Sequence, residues 1–269
     1  GATLDATGIV SFTATSATKN DSTDASNAVL SSRTSGGSTI DVSAALGSSG
    51  AFTLKGSTGV DIITGGAGND IITGAGNNDV LVGNGGIDTI TGGAGMDTIT
   101  GGTGNDIITV DASFDTITDL GGSSGNESDV LVVNSGALAS ATGIIGFLAT
   151  SATQNNSYGA SSVTLTAANG GGRTINVSAA TGSSGAFTIA GGDGADIITA
   201  GAGADIITGG AAADTITGNG GDDTITGNLG NDIITGGTGN DIITVDAGKD
   251  TVLDLGGSGG SESDVVIVN

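Results

Sequence analysis

The sequence contains no cysteine, histidine, proline or tryptophan, and its aromatic residues are five phenylalanines and one tyrosine. The absence of cysteine excludes a disulfide framework, on which small secreted domains often depend. Without histidine and cysteine, zinc, copper and iron lose their usual ligands. The few aromatic side chains exclude a core built on aromatic bulk. A stable fold of this chain therefore needs another kind of cross-link.

Positive charge is equally scarce, because 28 acidic residues stand against 5 basic ones and give a net charge of −23. The basic residues are too scattered to form the positive stripe that nucleic acids require. No run of about 18 apolar residues is present that would cross a membrane. We therefore expect a cation as the natural ligand, with no nucleic-acid partner and no membrane insertion.

Aspartate recurs every nine residues in two series of seven. A composition with 54 glycines and high net charge can indicate disorder. Here, however, isoleucine, leucine and valine keep a strict register with the aspartates, which indicates a regular fold. The first series is Asp61, Asp70, Asp79, Asp88, Asp97, Asp106 and Asp115, and the second is Asp196, Asp205, Asp214, Asp223, Asp232, Asp241 and Asp250.

The whole pattern occurs twice, because a shift of 135 residues superposes the sequence on itself. "GGTGNDIITVDA" at 101–112, for example, is identical to 236–247. We predict a Ser/Thr-rich leader at 1–55 and again at 136–190. A repeat array with a closing segment follows each leader, at 56–134 and 191–269. The leaders alternate apolar and polar residues as strands do, and they form either extra solenoid coils or a small sandwich.

The repeat has the pattern G-G-x-G-x-D-x-U-x, where U is a large apolar residue. Glycine permits a tight turn with positive φ, and the last three residues form a short strand. Two repeats make one 18-residue coil of a parallel solenoid, in which Ile72, Leu81, Ile90 and Ile99 stack into a thin core. We also expect an array to begin and end as whole periods of a longer array or of a protomer that stacks end to end. The N-terminus, without an initiator methionine, suggests a piece of a longer protein.

Equivalent aspartates of stacked coils lie roughly 4.8 Å apart. Two unit charges at that distance repel by about 0.9 kcal/mol in water, and by roughly 3.5 kcal/mol at an effective dielectric constant of 20. Such a column is stable only with cations between its members. Carboxylates combined with inward-pointing backbone carbonyls form an all-oxygen site, which suits Ca²⁺.

Several copies match the pattern at every position: "GGAGNDIIT" at 65–73, "GGAGMDTIT" at 92–100, and "GGTGNDIIT" at 101–109 and 236–244. The sequence thereby resembles the RTX (repeats-in-toxin) family of secreted bacterial proteins, whose nonapeptide binds Ca²⁺. The resemblance implies an all-β fold: a parallel β-roll in two tandem copies, each preceded by its leader. It also implies ions between turns two repeats apart, about five per array, and a closing segment that caps the roll. All fourteen aspartates of the two series are predicted metal ligands.

Three departures from the pattern weaken individual sites. Ala212 replaces the fourth-position glycine before Asp214, and Asn77 replaces it before Asp79. Asparagine tolerates positive φ better than alanine does, so the Asp214 site is expected to be distorted. The repeats at 110–118 and 245–253 have lost their glycines, which makes Asp115 and Asp250 the least secure ligands.

The sequence offers no catalytic group, because a nucleophile needs a neighbouring base such as histidine and catalytic carboxylate pairs need distinct environments. We therefore predict no enzyme. The duplication favours a calcium-dependent structural module outside a bacterial cell: a surface layer, fibre or repetitive adhesin that self-associates into a lattice or filament. The resemblance implies type I secretion.

The alternative is a calcium-folded secretion or chaperone module of a larger secreted enzyme or toxin. An ice-binding surface is disfavoured, because Thr-Gly-Asn occurs only at 103–105 and 238–240. Seven isoleucines are expected to face outward, where they provide lateral contacts unless the leaders cover them. These are Ile62, Ile71, Ile107, Ile197, Ile206, Ile233 and Ile242.

Overall fold

The computed structural model describes residues 4–20, 28–46, 50–111, 113–121, 127–135, 137–157, 163–182, 185–255 and 262–269. Within these ranges the chain consists of 27 β-strands joined by turns and loops, without a helix. β-Branched residues, serine and glycine dominate the sequence, and these residues favour strands and turns over helices. The predicted all-β class is confirmed.

The strands form three parallel sheets, which we number I to III. Sheet I contains, in spatial order, β1 (Leu4–Ile9), β3 (Ala28–Ser32), β5 (Thr53–Lys55), β7 (Ile71–Gly76), β9 (Thr89–Ala94), β11 (Ile107–Val110), β13 (Val130–Val133) and β16 (Gln154–Asn155). Sheet II contains β2 (Ser11–Thr13), β4 (Thr39–Asp41), β6 (Ile62–Thr64), β8 (Val80–Gly85), β10 (Thr98–Thr103), β12 (Phe114–Ile117), β14 (Leu138–Ile144), β17 (Val163–Ala167), β19 (Thr188–Gly192), β21 (Ile206–Gly210), β23 (Thr224–Asn228), β25 (Ile242–Val245) and β27 (Val265–Val268). Sheet III contains β15 (Gly146–Leu148), β18 (Thr174–Asn176), β20 (Ile197–Thr199), β22 (Thr215–Gly220), β24 (Ile233–Thr238) and β26 (Thr251–Val252).

In each array, two strands and two turns make one coil of a solenoid. The strands alternate between sheets I and II in the first array, and between sheets II and III in the second. The register advances by 18 residues per coil, since Ile72 pairs with Ile90 and Ile90 pairs with Ile108. Two nonapeptides therefore form each coil, which confirms the predicted parallel β-roll.

The inner turns of each array have a left-handed backbone at the second and fourth positions of the nonapeptide. Gly102 and Gly104 show this, with φ of 110° and 132°. Glycine adopts such angles without steric cost, and Asn77 adopts a φ of 67°. Ala212 also takes the left-handed conformation, with φ of 72°. Its turn thus keeps the backbone of the other turns, at the cost of local strain.

The middle residue of each strand triplet points into the solenoid. Ile72, Leu81, Ile90 and Ile99 are fully buried, as predicted. Successive side chains of a strand face opposite sides, so the preceding residue, such as Ile71, is exposed. The core is consequently one large apolar side chain wide at each nonapeptide, and it is too thin to stabilise the roll as the core of an ordinary domain does.

The leaders form wider coils of the same solenoid, which decides between the two alternatives that the sequence left open. Their register advances by 24 residues, as from Leu4 to Ala28. The additional residues make a third side of the coil, where Lys19 forms a parallel bridge with Leu46; the second leader has an equivalent bridge. The wider interior holds larger buried side chains, namely Phe52, Phe147 and Phe187.

Strand pairing continues from the first unit into the second. Strand β12 pairs with β14, which places Phe114 beside Leu138. Strand β13 pairs with β11 on one side and with β16 on the other. The closing segment of the first unit thus leads into the next leader instead of ending the solenoid, and sheet III begins at β15.

The seven isoleucines expected to face outward do so, and the leaders do not cover them. The leaders lie in series with the arrays along the solenoid, so the outer faces of the sheets stay open. The exposed isoleucines are Ile62, Ile71, Ile107, Ile197, Ile206, Ile233 and Ile242.

Candidate metal centre

The sixth-position aspartates stack along both edges of the roll and bond directly to the backbone of the preceding coil. Oδ1 of Asp88 accepts a hydrogen bond of 2.7 Å from the N–H of Asp70, and Oδ1 of Asp106 accepts one of 2.8 Å from the N–H of Asp88. The second array repeats this, with 2.8 Å between the N–H of Asp205 and Oδ1 of Asp223. We call each such column an aspartate ladder. One oxygen of each carboxylate therefore has a structural role.

The other oxygen, Oδ2, is buried and has no hydrogen-bond partner at most rungs of the ladder. A buried carboxylate oxygen without a partner is costly, because its hydration is lost and nothing replaces it. Within the described residues, five aspartates of each array have an Oδ2 of this kind. They are Asp79, Asp88, Asp97, Asp106 and Asp115 in the first array, and Asp196, Asp214, Asp223, Asp232 and Asp241 in the second.

The first-position glycine keeps the space beside this oxygen open. A β-carbon on Gly65 would lie 2.5 Å from Oδ2 of Asp70 and 2.6 Å from the carbonyl oxygen of Gly83, one coil further along. A carboxylate oxygen and a carbonyl oxygen thus converge on a space that any side chain would fill. The glycine requirement at this position comes from the site, whereas at the second and fourth positions it comes from the backbone angle.

Burial and mutual repulsion make the ladder carboxylates hard to ionise. Burial raises the pKa of Asp88 to about 8, and the charges of Asp106 and Asp70 raise it further, against the opposing hydrogen bond from the N–H of Asp70. Burial likewise raises the pKa of Asp223 to about 8. The pKa values of Asp79 and Asp115 rise to about 7, and those of Asp70, Asp129, Asp205 and Asp214 to about 6, chiefly through burial.

This donor set fits calcium. Ca²⁺ takes six to eight oxygen ligands, including carboxylates and backbone carbonyls. In the part of the chain that the structure describes, no three acidic side chains gather closely enough to hold an ion by themselves. Carbonyl oxygens such as that of Gly83 are therefore needed beside the carboxylates. A bound calcium ion supplies the positive charge that the buried Oδ2 atoms lack.

The aspartates expected to be weak ligands differ among themselves. Asp214 is buried and Asp115 fully so, and their Oδ1 atoms accept hydrogen bonds of 2.8 and 2.9 Å like the inner rungs. Asp250 does depart from the ladder, because it is partly exposed and its Oδ2 accepts a hydrogen bond of 3.3 Å from the N–H of Asp246. The Oδ2 atoms of Asp61, Asp70 and Asp205, near the start of each array, also have backbone donors.

Two further aspartates belong to the ladders and were not among the predicted residues. Asp129 accepts a hydrogen bond of 2.9 Å from the N–H of Asp106, and Asp264 accepts one of 3.0 Å from the N–H of Asp241. Both follow their predecessor by 23 residues instead of 18, since the closing segments are longer by five residues. The repeated "ESDV" at 127–130 and 262–265 was the available signal. Residues 122–126 and 256–261 of these segments lie outside the described ranges.

A family model for the RTX calcium-binding nonapeptide repeat matches residues 46–81, 82–117, 181–216 and 217–252, which together make up more than half of the chain. The chain belongs to the RTX calcium-binding repeat family. Its repeats form a calcium-binding module, and the β-roll of RTX repeats is a structural domain rather than a catalytic one. Comparisons with curated proteins and with solved structures gave no match.

RTX repeats are typical of secreted bacterial proteins. Among the residues that the structure describes, none lies in a helix suited to crossing a membrane.

The pKa shifts predict how the calcium-free roll responds to pH. Unfolded aspartates have a pKa of about 3.9, whereas the folded values reach about 8 for Asp88 and Asp223. Between these limits the folded state binds more protons than the unfolded state, so stability falls as pH rises. We expect the β-sheet signal in circular dichroism of the calcium-free protein to be larger at pH 5 than at pH 8. A signal that grows with pH would contradict these shifts.

A matched pair of neighbouring aspartates tests the ladder site itself. Asp223→Asn keeps the Oδ1 acceptor and removes the buried charge, whereas Asp222→Asn removes the charge of an exposed neighbour. We expect Asp223→Asn to raise the calcium concentration at half-maximal folding several-fold, and to stabilise the calcium-free state at pH 8. Asp222→Asn should change either quantity little. Equal effects of the two substitutions on a calcium titration would rule out Asp223 as a ligand.

Proposed function

We propose that this RTX module is a calcium-dependent structural rod that folds outside the bacterial cell and joins other modules to build an extracellular assembly. The observation that supports this best is the unbroken strand pairing between the two 135-residue units. Because each leader is a set of coils in the same solenoid, units in tandem extend one rod. A chain of such units is a means of spanning distance, which a surface layer, fibre or repetitive adhesin requires.

Burial at the junction indicates how completely one unit covers the next. Leu131 and Val133 of β13 are buried beneath the second leader, with exposures of 1% and 0%. Val266 and Val268, their counterparts in β27, are exposed by 38% and 78%. The leader of a following unit therefore removes a substantial apolar surface from water, which favours tandem stacking.

Calcium couples this fold to location. Extracellular calcium modules bind with dissociation constants of about 10⁻⁴ to 10⁻³ M. At millimolar calcium, a site of 10⁻⁴ M adds roughly 1.4 kcal/mol to stability, so five sites per array add about 7 kcal/mol. At the micromolar or lower calcium of a cytosol this contribution vanishes. The chain would pass an export channel unfolded, as type I secretion requires, and fold afterwards.

The open outer faces of the sheets supply contacts for self-association. Ile62 and Val80 are exposed and lie one above the other on sheet II, and Ile206 continues this face in the second unit. Sheet I carries Ile71 and Ile107 in the same way. Flat, parallel columns of apolar and threonine side chains suit lateral packing of rods, which supports a lattice or filament.

Small-angle scattering of the purified chain tests the proposal in millimolar calcium and in chelator. Sheet II has 13 strands, which at a spacing of about 4.8 Å gives a rod about 60 Å long. We expect a radius of gyration on the order of 20 Å in calcium, against about 57 Å for an unfolded chain of this length. An expanded chain in both conditions would contradict calcium-dependent folding.

Light scattering over a range of protein concentrations then separates the two candidate functions. Growth of ordered particles in calcium alone supports the assembly module. A rod that stays monomeric at high concentration contradicts self-association, and it favours the alternative of a calcium-folded secretion module within a larger secreted enzyme or toxin.

A further inference from the structure

Each array ends in a segment where the nonapeptide pattern stops and carboxylates foreign to the repeat appear. The only two glutamates of the chain, Glu127 and Glu262, occupy equivalent places in these segments. The side chain of Asn105 accepts a hydrogen bond of 2.8 Å from the N–H of Ser128. This register sets Glu127 one coil beyond Gly104. A carboxylate thus stands where the repeat has only backbone.

The last aspartate of this ladder has no oxygen left for an ion. Oδ1 of Asp129 accepts a hydrogen bond of 2.9 Å from the N–H of Asp106, and its Oδ2 accepts one of 2.7 Å from the N–H of Gly121. The inner rungs use one oxygen for the ladder and leave the other without a partner. Asp129 therefore closes the ladder structurally and cannot supply a ligand without losing a backbone bond.

The carboxylate that takes over is Glu127. Its Oε2 atom is buried and has no hydrogen-bond partner, and the same is true of Oδ2 of Asp106, whose side chain is fully buried. The negative charges of Glu127 and Asp119 both act on Asp106. Asp119 is held nearby, because its Oδ2 accepts a hydrogen bond of 3.1 Å from the N–H of Gly102.

The second unit shows the same two atoms independently. Oδ2 of Asp241 and Oε2 of Glu262 are buried without a partner. The charge of Glu262 acts on Asp241, as that of Glu127 acts on Asp106. Two copies with different neighbouring sequences thus preserve one arrangement of unpaired buried oxygens, which indicates a common ligand.

We propose that Oδ2 of Asp106 and Oε2 of Glu127 bind one divalent, oxygen-preferring cation at the end of the first array, and that Asp241 and Glu262 bind another at the end of the second. Backbone carbonyls complete each site, and Asp119 adds negative charge to the first. These terminal sites rest on the proposed calcium ladder, but they differ from it in using a side chain where the repeat uses a carbonyl.

The terminal ion has a specific mechanical role. Glu127 lies three residues before β13, whose strand pairs with the first array on one side and with the second leader on the other. An ion shared by Asp106 and Glu127 fixes the closing segment against the last coil. It therefore secures the join between the two units, and its additional carboxylate charge favours tighter binding than at an inner site.

Glutamine substitution tests the terminal sites, because it keeps the size of the side chain and removes the charge. The variants are Glu127→Gln and the double substitution Glu127→Gln/Glu262→Gln, with Asp5→Asn as a control at an exposed acid of β1. Calcium bound per chain is measured by metal analysis after equilibrium dialysis in millimolar calcium. We expect one ion fewer for the single variant, two fewer for the double variant, and no loss for the control.

The possible outcomes separate this inference from the proposed ladder. Variants that bind as many ions as the unaltered chain overturn the terminal sites alone, whereas an unaltered chain that binds no calcium overturns both. A calcium titration followed by circular dichroism covers a loss of stability. The terminal sites predict that Glu127→Gln recovers full β-sheet signal at higher calcium, with one ion fewer. A variant that stays unfolded at every calcium concentration assigns the glutamate a structural role and overturns the site.

Discussion

The structure depends on a buried carboxylate that is only half satisfied. In each inner coil, one aspartate oxygen accepts a backbone hydrogen bond from the coil before it, as Asp88 does from Asp70, and the other oxygen has no partner. The first interaction sets the stacking register. The second leaves a negative charge that burial and neighbouring carboxylates disfavour. The fold is therefore assembled around sites that need a cation, and folding and calcium binding become one event.

The remaining features of the roll follow from that requirement. The first-position glycine clears the space at Oδ2, as Gly65 does beside Asp70, and two further positions provide the left-handed turn. Each nonapeptide then has room for only one inward side chain, such as Ile90, so hydrophobic burial stays thin. A thin core makes the metal-free roll weak, and this weakness is what allows external calcium to decide whether the chain is folded.

Much of this was predictable from the sequence, because a nine-residue period fixes both the strand register and the stacking of Asp70, Asp88 and Asp106. The form of the leaders was not predictable, since alternating strands suit a three-sided coil and a sandwich equally well. Asp129 and Asp264 escaped detection because five additional residues move them out of the period. The hydrogen bond at Oδ1 also lay beyond the sequence, because it depends on how closely successive turns approach. Where Ala212 broke the pattern, the neighbouring turns imposed the left-handed backbone nonetheless.

The most direct test of the account is a crystal structure of the chain grown in calcium, with electron density examined beside the ladder carboxylates. The account predicts an ion within about 2.3–2.6 Å of Oδ2 of the inner aspartates, together with backbone carbonyl oxygens. Density that shows these oxygens bonded only to water or to the protein, with the roll intact, would contradict it.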